Sequence, residues 1–258
     1  MDTKLYERIH TADIPTDLKT ALQGMAQAAE AMLPSLNHVQ QRRYPMLLDH
    51  LIGEAISPAL EPHWWETTLY FWSQAAHELG SPGSELLGSI EKLQPLLASR
   101  LGTGGEVTLR EITMDTVMGI CLLSDTLTEP KKYFVAPNVY SLAQAHFNQY
   151  ARFHAIYAGK APVGFVMIVD VEPEEDKGGK PVYFLWRFMI AEPFQGRGYG
   201  RQAIQRLVEY VRTRPEATEL LVSCGQGEGS PQGFYESLGF TLTGEVLDDE
   251  VVLRLPLV

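Results

Sequence analysis

The segment Phe188-Met189-Ile190-Ala191-Glu192-Pro193-Phe194-Gln195-Gly196-Arg197-Gly198-Tyr199-Gly200 carries the residue pattern best suited to chemistry. An apolar run leads into a short glycine-rich loop, and an amphipathic stretch follows. Glycines let backbone N–H groups turn toward one point without Cβ obstruction. A helix N-terminus adds unsatisfied donors and about half a positive charge, so such a loop suits a pyrophosphate. Three readings compete for these residues. The dinucleotide fingerprint G-x-G-x-x-G fails at its third glycine, where Arg201 stands, and no βαβ repeat surrounds the loop. No G-x-x-x-x-G-K-[ST] occurs, which argues against a nucleoside triphosphate. A glycine-rich loop without a ligand is the third reading.

Other groups able to do chemistry are scattered. Asp170, Glu172, Glu245 and Glu250 lie on or near expected strands and are candidates for accepting a proton, against the plainer expectation that each is solvated. His38, His50, His63 and His77 fall in a helical half, but none sits in H-E-x-x-H or E-x-x-H spacing, so no metal is expected. His146 and His154 read as surface or partly buried residues. Cys121 and Cys224 are too few for a disulfide framework or a zinc cluster. Trp64, Trp65 and Trp72 are most simply core.

The elements that must position these residues follow two periods. In the first part, residues 16–32 carry Leu18, Leu22, Met25, Ala29 and Met32 at helical spacing after Pro15. Further helices are expected over residues 39–56, where Pro45 could kink or restart the run, after Pro62, and from Ser84 through Leu97. Gly102-Thr103-Gly104-Gly105 breaks helices and suits a linker. This places a helical domain at residues 1–101 and a second domain at 106–258.

In that second domain, strands are expected over residues 107–112, 153–157, 163–171, 182–190, 219–223, 240–246 and 251–257. Helices are expected over 115–123, 141–148, 198–212 and 231–238. Residues 172–180 read as a charged loop, Ala158-Gly159-Lys160 and Asp248-Asp249 as hairpin turns. The run 182–190 is nearly continuous in apolar residues, as in a strand covered on both faces.

Composition bounds the partners. The 258 residues hold 21 Lys plus Arg against 32 Asp plus Glu, a net charge of −11. A surface that negative repels phosphate backbones, which argues against nucleic acid, and attracts cations, small amines included. Residues 1–7 lack a basic stretch followed by an apolar one, and no apolar run approaches the roughly 18 residues that span a bilayer. A cytoplasmic protein without a membrane partner is expected.

Gln195-Gly196-Arg197-Gly198-Tyr199-Gly200 resembles Q/R-x-x-G-x-G/A, the acetyl-CoA pyrophosphate loop of the GNAT acyltransferases. Phe134-Val135-Ala136-Pro137-Asn138, Ala155-Ile156-Tyr157-Ala158-Gly159 and Val163-Gly164-Phe165-Val166-Met167 are similar to segments of the spermine/spermidine branch. So are Trp186-Arg187-Phe188-Met189-Ile190 and Phe234-Tyr235-Glu236-Ser237-Leu238-Gly239-Phe240. The resemblance spans residues 106–258 in order.

It implies an α+β GNAT fold, a mixed and mostly antiparallel sheet with flanking helices, preceded by a small all-α domain. It implies acetyl-CoA as co-substrate, no metal, and direct acetyl transfer to a primary amine, with a polyamine as the first acceptor to consider. An antibiotic amine, an amino acid or a protein amino group fits the same residues. By the same resemblance, backbone groups of Phe188, Met189 and Ile190 pair with the pantetheine arm, and one N–H polarises the thioester carbonyl. N–H groups from Gln195, Gly196, Arg197, Gly198, Tyr199 and Gly200 hold the pyrophosphate, and Tyr235 protonates the departing thiolate. Many relatives place an Asn about seven residues before that tyrosine. Glu228 stands there in this chain, and Ser230 is the candidate substitute. The alternative class is a non-catalytic acyl-CoA sensor read out by the helical half. The expected partners are a small amine and, for assembly, a second copy in a homodimer.

Overall fold

Five helices account for the periodicity of the first part: α1 (Thr3–Thr11), α2 (Thr16–Met32), α3 (His38–Ile56), α4 (Trp65–Leu79) and α5 (Ser84–Leu101). The computed structural model describes residues 3–171 and 182–257, and the chain divides into two units, one ending at Gly104 and one starting at Gly105. The loop expected over residues 172–180, with Glu172, lies outside the described residues. None of the described helices is long and apolar enough to cross a membrane.

In the helical unit the apolar stripes face inward. Leu18, Leu22, Met25, Leu51, Ile52, Trp72, Leu93 and Leu97 are all buried. Trp72 meets Tyr44 edge to face at 4.8 Å, and the Tyr44 hydroxyl donates to the Phe71 carbonyl. Trp65 is buried as well, while Trp64 is half-buried at the start of α4. The helices differ from the expectation at three points, one being that α5 runs past Leu97 to Leu101. Helix α1 was not anticipated, and α3 begins at His38 because Asn37 and Gln40 form a reciprocal cap. Pro45 neither breaks nor restarts α3, where it sits on an exposed face. Glu54 is fully buried, accepts from the N–H groups of Trp64 and Trp65, and so ties α3 to the N-terminus of α4.

The second unit is a seven-stranded sheet in the order β1-β2-β3-β4-β5-β7-β6. Its strands are β1 (Val107–Arg110), β2 (Ala151–Ala158), β3 (Ala161–Val171), β4 (Val182–Ile190), β5 (Glu219–Cys224), β6 (Thr241–Leu247) and β7 (Glu250–Pro256). Helices α6 (Val117–Leu123), α7 (Asn138–His146), α8 (Tyr199–Arg212) and α9 (Gln232–Glu236) flank it. Every strand pair is antiparallel except β4 with β5, as an α8 crossover between them requires.

That parallel pair is the feature that makes a site. Although β4 has nine residues, only Phe184 and Leu185 register with β5, on Leu221 and Val222. Beyond Leu185 the strands part. On the other edge, β4 stays paired with β3, but the register shifts between Met167 and Ile168, so Trp186 has no opposite number. A bulge of this kind turns a strand and re-aims the side chains after it.

Candidate active site

The gap between β4 and β5 opens into a cavity of about 920 Å³. Trp186, Arg187, Phe188, Met189 and Ile190 form one wall, the loop from Gln195 closes one end, and Val222, Ser223, Tyr235 and Glu250 stand across from them. Backbone geometry fixes what β4 offers. The Ala191 N–H donates to Val163 on β3 at 2.8 Å. N–H groups alternate in direction along a strand, so those of Phe188 and Ile190 point the other way, into the gap.

Past β4 the chain turns through residues Glu192–Phe194, and Gly196 and Gly198 adopt φ of 74° and 80° before α8 begins. Side chains rarely tolerate that conformation, and a Cβ at either glycine would project into open space. No side chain caps α8, so its first N–H groups face the cavity mouth. A bare cradle at a helix N-terminus fits a pyrophosphate. Gln195 braces it, donating from Nε2 to the Ile190 carbonyl at 2.8 Å while its Oε1 accepts from Lys131 Nζ at 2.7 Å. Lys131 also pairs with Glu192 at 2.7 Å.

Tyr235, on α9, is buried and has no hydrogen-bond partner for its hydroxyl among the described residues. Burial, with smaller contributions from Cys224 and Glu250, drives its pKa far above the ordinary tyrosine value. The group therefore stays protonated at any physiological pH. Its ring packs edge-on against Phe234 at 5.4 Å and Phe240 at 5.5 Å.

Of the expected cofactor residues, Phe188, Met189, Ile190, Gln195, Gly196, Gly198, Tyr199 and Gly200 line this one cavity together with Tyr235. Arg197 does not line it, and its guanidinium lies over the Phe194 ring at 5.5 Å. Ser230 also stands off the lining. Its hydroxyl donates to the Gly225 carbonyl and accepts from the Gln232 N–H, which shapes the turn before α9. Glu228 is exposed.

The carboxylates separate just as clearly. Asp170 faces α8 instead of the gap: it is buried, accepts from the Tyr210 hydroxyl at 3.0 Å and pairs with Arg214 at 2.9 Å. Glu245 is exposed on β6 and lies off the lining. Glu250 alone of the described candidates lines the cavity, where it accepts from the Ser223 hydroxyl. Among the described residues no cluster of three or more His, Cys, Asp or Glu could hold a metal ion.

Sequence reasoning assigned no role to Arg187, Ser223 or Lys131, which the structure puts in or beside the cavity. Arg187 had a readable signal, since it is the one charged residue in the apolar run 182–190. Such a charge in a covered strand calls for a partner.

Residues 122–240 match the acetyltransferase (GNAT) family. No curated protein matches the chain. Among solved structures, an acetyltransferase from Thermus thermophilus is similar at 20% identity and a TM-score of 0.43, over 58% of this chain and 96% of that one. A chimera of the spermidine N-acetyltransferase SpeG from Vibrio cholerae and hSSAT is similar at 18% identity and a TM-score of 0.44, over 59% and 96%. An acetyltransferase from Salmonella typhimurium that modifies the N-terminal serine of a 50S ribosomal subunit protein is similar at 17% and 0.43, over 58% and 95%. With the split sheet, the glycine cradle and the family match taken together, the second unit is a GNAT acetyltransferase domain, an acyltransferase that uses acetyl-CoA as co-substrate.

Proposed function

We propose that this domain moves an acetyl group directly from acetyl-CoA to a primary amine, polyamines included, with no covalent acetyl-enzyme. The observation that carries this reading is the gap between β4 and β5, which joins a phosphate cradle at one end to a carboxylate and a buried hydroxyl at the other. We also propose that residues 106–258 form this domain, 102–105 the linker and 1–101 a separate helical domain.

When bound, the co-substrate supplies an acyl carbon activated as a thioester. The cradle from Gln195 to Gly200 would hold its pyrophosphate, and the N–H groups of Phe188 and Ile190 would align its arm along β4. One of these N–H groups, aimed at the carbonyl oxygen, stabilises the negative charge that grows there as the amine nitrogen attacks. A C–N bond forms and the C–S bond breaks. An amine of pKa about 10.4 arrives protonated at pH 7.4, and removing that proton costs roughly 4 kcal/mol. Glu250 takes the proton, directly or through one water, and the Ser223 hydroxyl holds its carboxylate in place. Tyr235 donates its hydroxyl hydrogen to the departing sulfur. A thiol near pKa 8.5 is the stronger acid, so this donor mainly stabilises the thiolate by hydrogen bonding.

The test is release of free thiol when acetyl-CoA is mixed with a panel of primary amines, spermidine among them. Amine-dependent release, with the acetylated amine identified by mass, is the expected result. Acetyl-CoA binding without turnover on any amine would leave a sensor and defeat the proposal.

A further inference from the structure

The acceptor end of the cavity holds a charge that the reaction above does not use. Arg187 stands on β4, half-buried, with its Nη1 donating to the Trp186 carbonyl at 2.8 Å and its Nη2 to Gln144 Oε1 on α7 at 3.1 Å. The guanidinium lies over the Trp186 ring at 5.0 Å. Its Nε is buried and has no hydrogen-bond partner. Among the described residues no carboxylate forms an ion pair with it, and Glu250 acts on it only from beyond ion-pair distance. Two of five N–H groups are satisfied, both by neutral oxygens, and three remain.

A guanidinium drawn out of water without a counter-charge is an unfavourable arrangement that a bound anion would relieve. Burial lowers its pKa from the ordinary arginine value, yet arginine remains charged in proteins. The free N–H groups lie on a planar fork, the geometry that grips a carboxylate with two parallel hydrogen bonds. Glu250 lies across the same cavity, suited to a cationic or proton-releasing nitrogen. The two side chains would therefore read opposite ends of one small molecule. A polyamine, by contrast, would bring a second cation toward Arg187.

Resting on the acetyl-transfer reading, we propose that the preferred acceptor is an amino acid, a small primary amine that also carries a carboxylate, with the carboxylate on Arg187 and the amine directed toward Glu250.

The experiment is steady-state thiol release with the full chain and acetyl-CoA. Acceptors are tested in matched sets: each of the common α-amino acids, β-alanine and γ-aminobutyrate, their carboxamides, their decarboxylated amines and aminophosphonate analogues, with spermidine beside them. The expected result is that the best acid exceeds its carboxamide by at least ~10-fold in kcat/KM, since the amide leaves the half-buried fork without its counter-charge. Arg187→Gln should collapse the acid-to-amide ratio to near one through a higher acceptor KM, and Arg187→Lys should keep part of it.

Equal or better use of the carboxamides, the decarboxylated amines or spermidine would overturn the inference while leaving acetyl transfer intact. Preference for the phosphonates would overturn the carboxylate assignment, and survival of the ratio in Arg187→Gln would remove Arg187. No turnover on any amine would sink both readings. If Arg187→Gln does not fold, the ratio in the unaltered protein decides.

Discussion

The two ends of the cavity are built from different material. At the loop end, the groups presented are main-chain N–H donors at Gly196, Gly198 and the first turn of α8, contributed by one continuous stretch of chain. At the acceptor end, they are the side chains of Arg187, Ser223 and Glu250, drawn from β4, β5 and β7. Backbone donors suit a ligand group that never varies, because most substitutions leave them in place. Side chains suit a group that differs between relatives, because one substitution changes the fit. A single fold can thus keep one co-substrate while its acceptor changes.

Tyr235, which lines the cavity away from the cradle, should give the largest effect. Tyr235→Phe keeps the ring contacts with Phe234 and Phe240 and removes only the hydroxyl. A donor used after the ground state affects kcat and leaves binding nearly intact. The expected loss in kcat is about a hundredfold, the low end for general acid catalysis, with acetyl-CoA KM within about twofold. Because burial raises the pKa, the donor keeps its proton on going alkaline. The wild-type kcat should therefore show no falling limb from this group below about pH 10. A variant with full turnover and only a lower melting temperature would make Tyr235 a core residue.

Next comes the loop end. Gly198→Val places a branched side chain at φ 80°, with no protein atom within 4 Å of its Cβ. The added atoms meet the space where backbone approaches phosphate, so acetyl-CoA affinity by calorimetry should fall at least ~10-fold, with the acceptor KM little changed. A folded variant with unaltered affinity would place the phosphates elsewhere and erase the distinction between the two ends.

The same division decided what could be read from the chain. Strand β4, the glycine loop and α8 are consecutive, and each carries a local signal: an apolar run, glycines, an amphipathic period. The Asp248-Asp249 turn was equally legible, and both residues take positive φ between β6 and β7, as a two-residue hairpin requires. The acceptor end had no local signal. Asp170 and Glu250 look alike in sequence, and only the packing of Tyr210 and Arg214 from α8 and the turn after it draws Asp170 away from the cavity. Neither the parting of β4 from β5 nor the register shift against β3 beside it is announced by any residue type. Helix α1 is amphipathic, but its nine residues are fewer than the roughly 11 over which a helical period is distinguished from chance. The start of α3, in contrast, is legible in Asn37 and Gln40, whose reciprocal cap opens the helix at His38, one residue before the expected start.

The smallest expected effect lies within the loop end and asks how much of it must stay bare. Gly200 is the second residue of α8, and its φ is not positive. A Cβ there would meet the Phe234 ring at 3.2 Å and Ile190 at 3.6 Å, two side chains that line the cavity beside the cradle. Phe234 stacks on Phe188 with 5.9 Å between centroids, so the ring must give by a few tenths of an ångström. Against that squeeze stands the helix preference of alanine over glycine, about 1 kcal/mol in a helix interior and less in a first turn. The two nearly cancel. Gly200→Ala should keep its melting temperature within about 2 °C of wild type, on a scale where 1 kcal/mol is roughly 2–4 °C for a domain this size. Acetyl-CoA affinity should stay within about threefold, since the first-turn N–H groups remain in place. A tenfold loss matching Gly198→Val would mean the whole loop needs bare backbone, while a fall of more than about 5 °C would mean the Phe234–Phe188 stack cannot yield. Either result would redraw where the main-chain end of the cavity stops and the side-chain end begins.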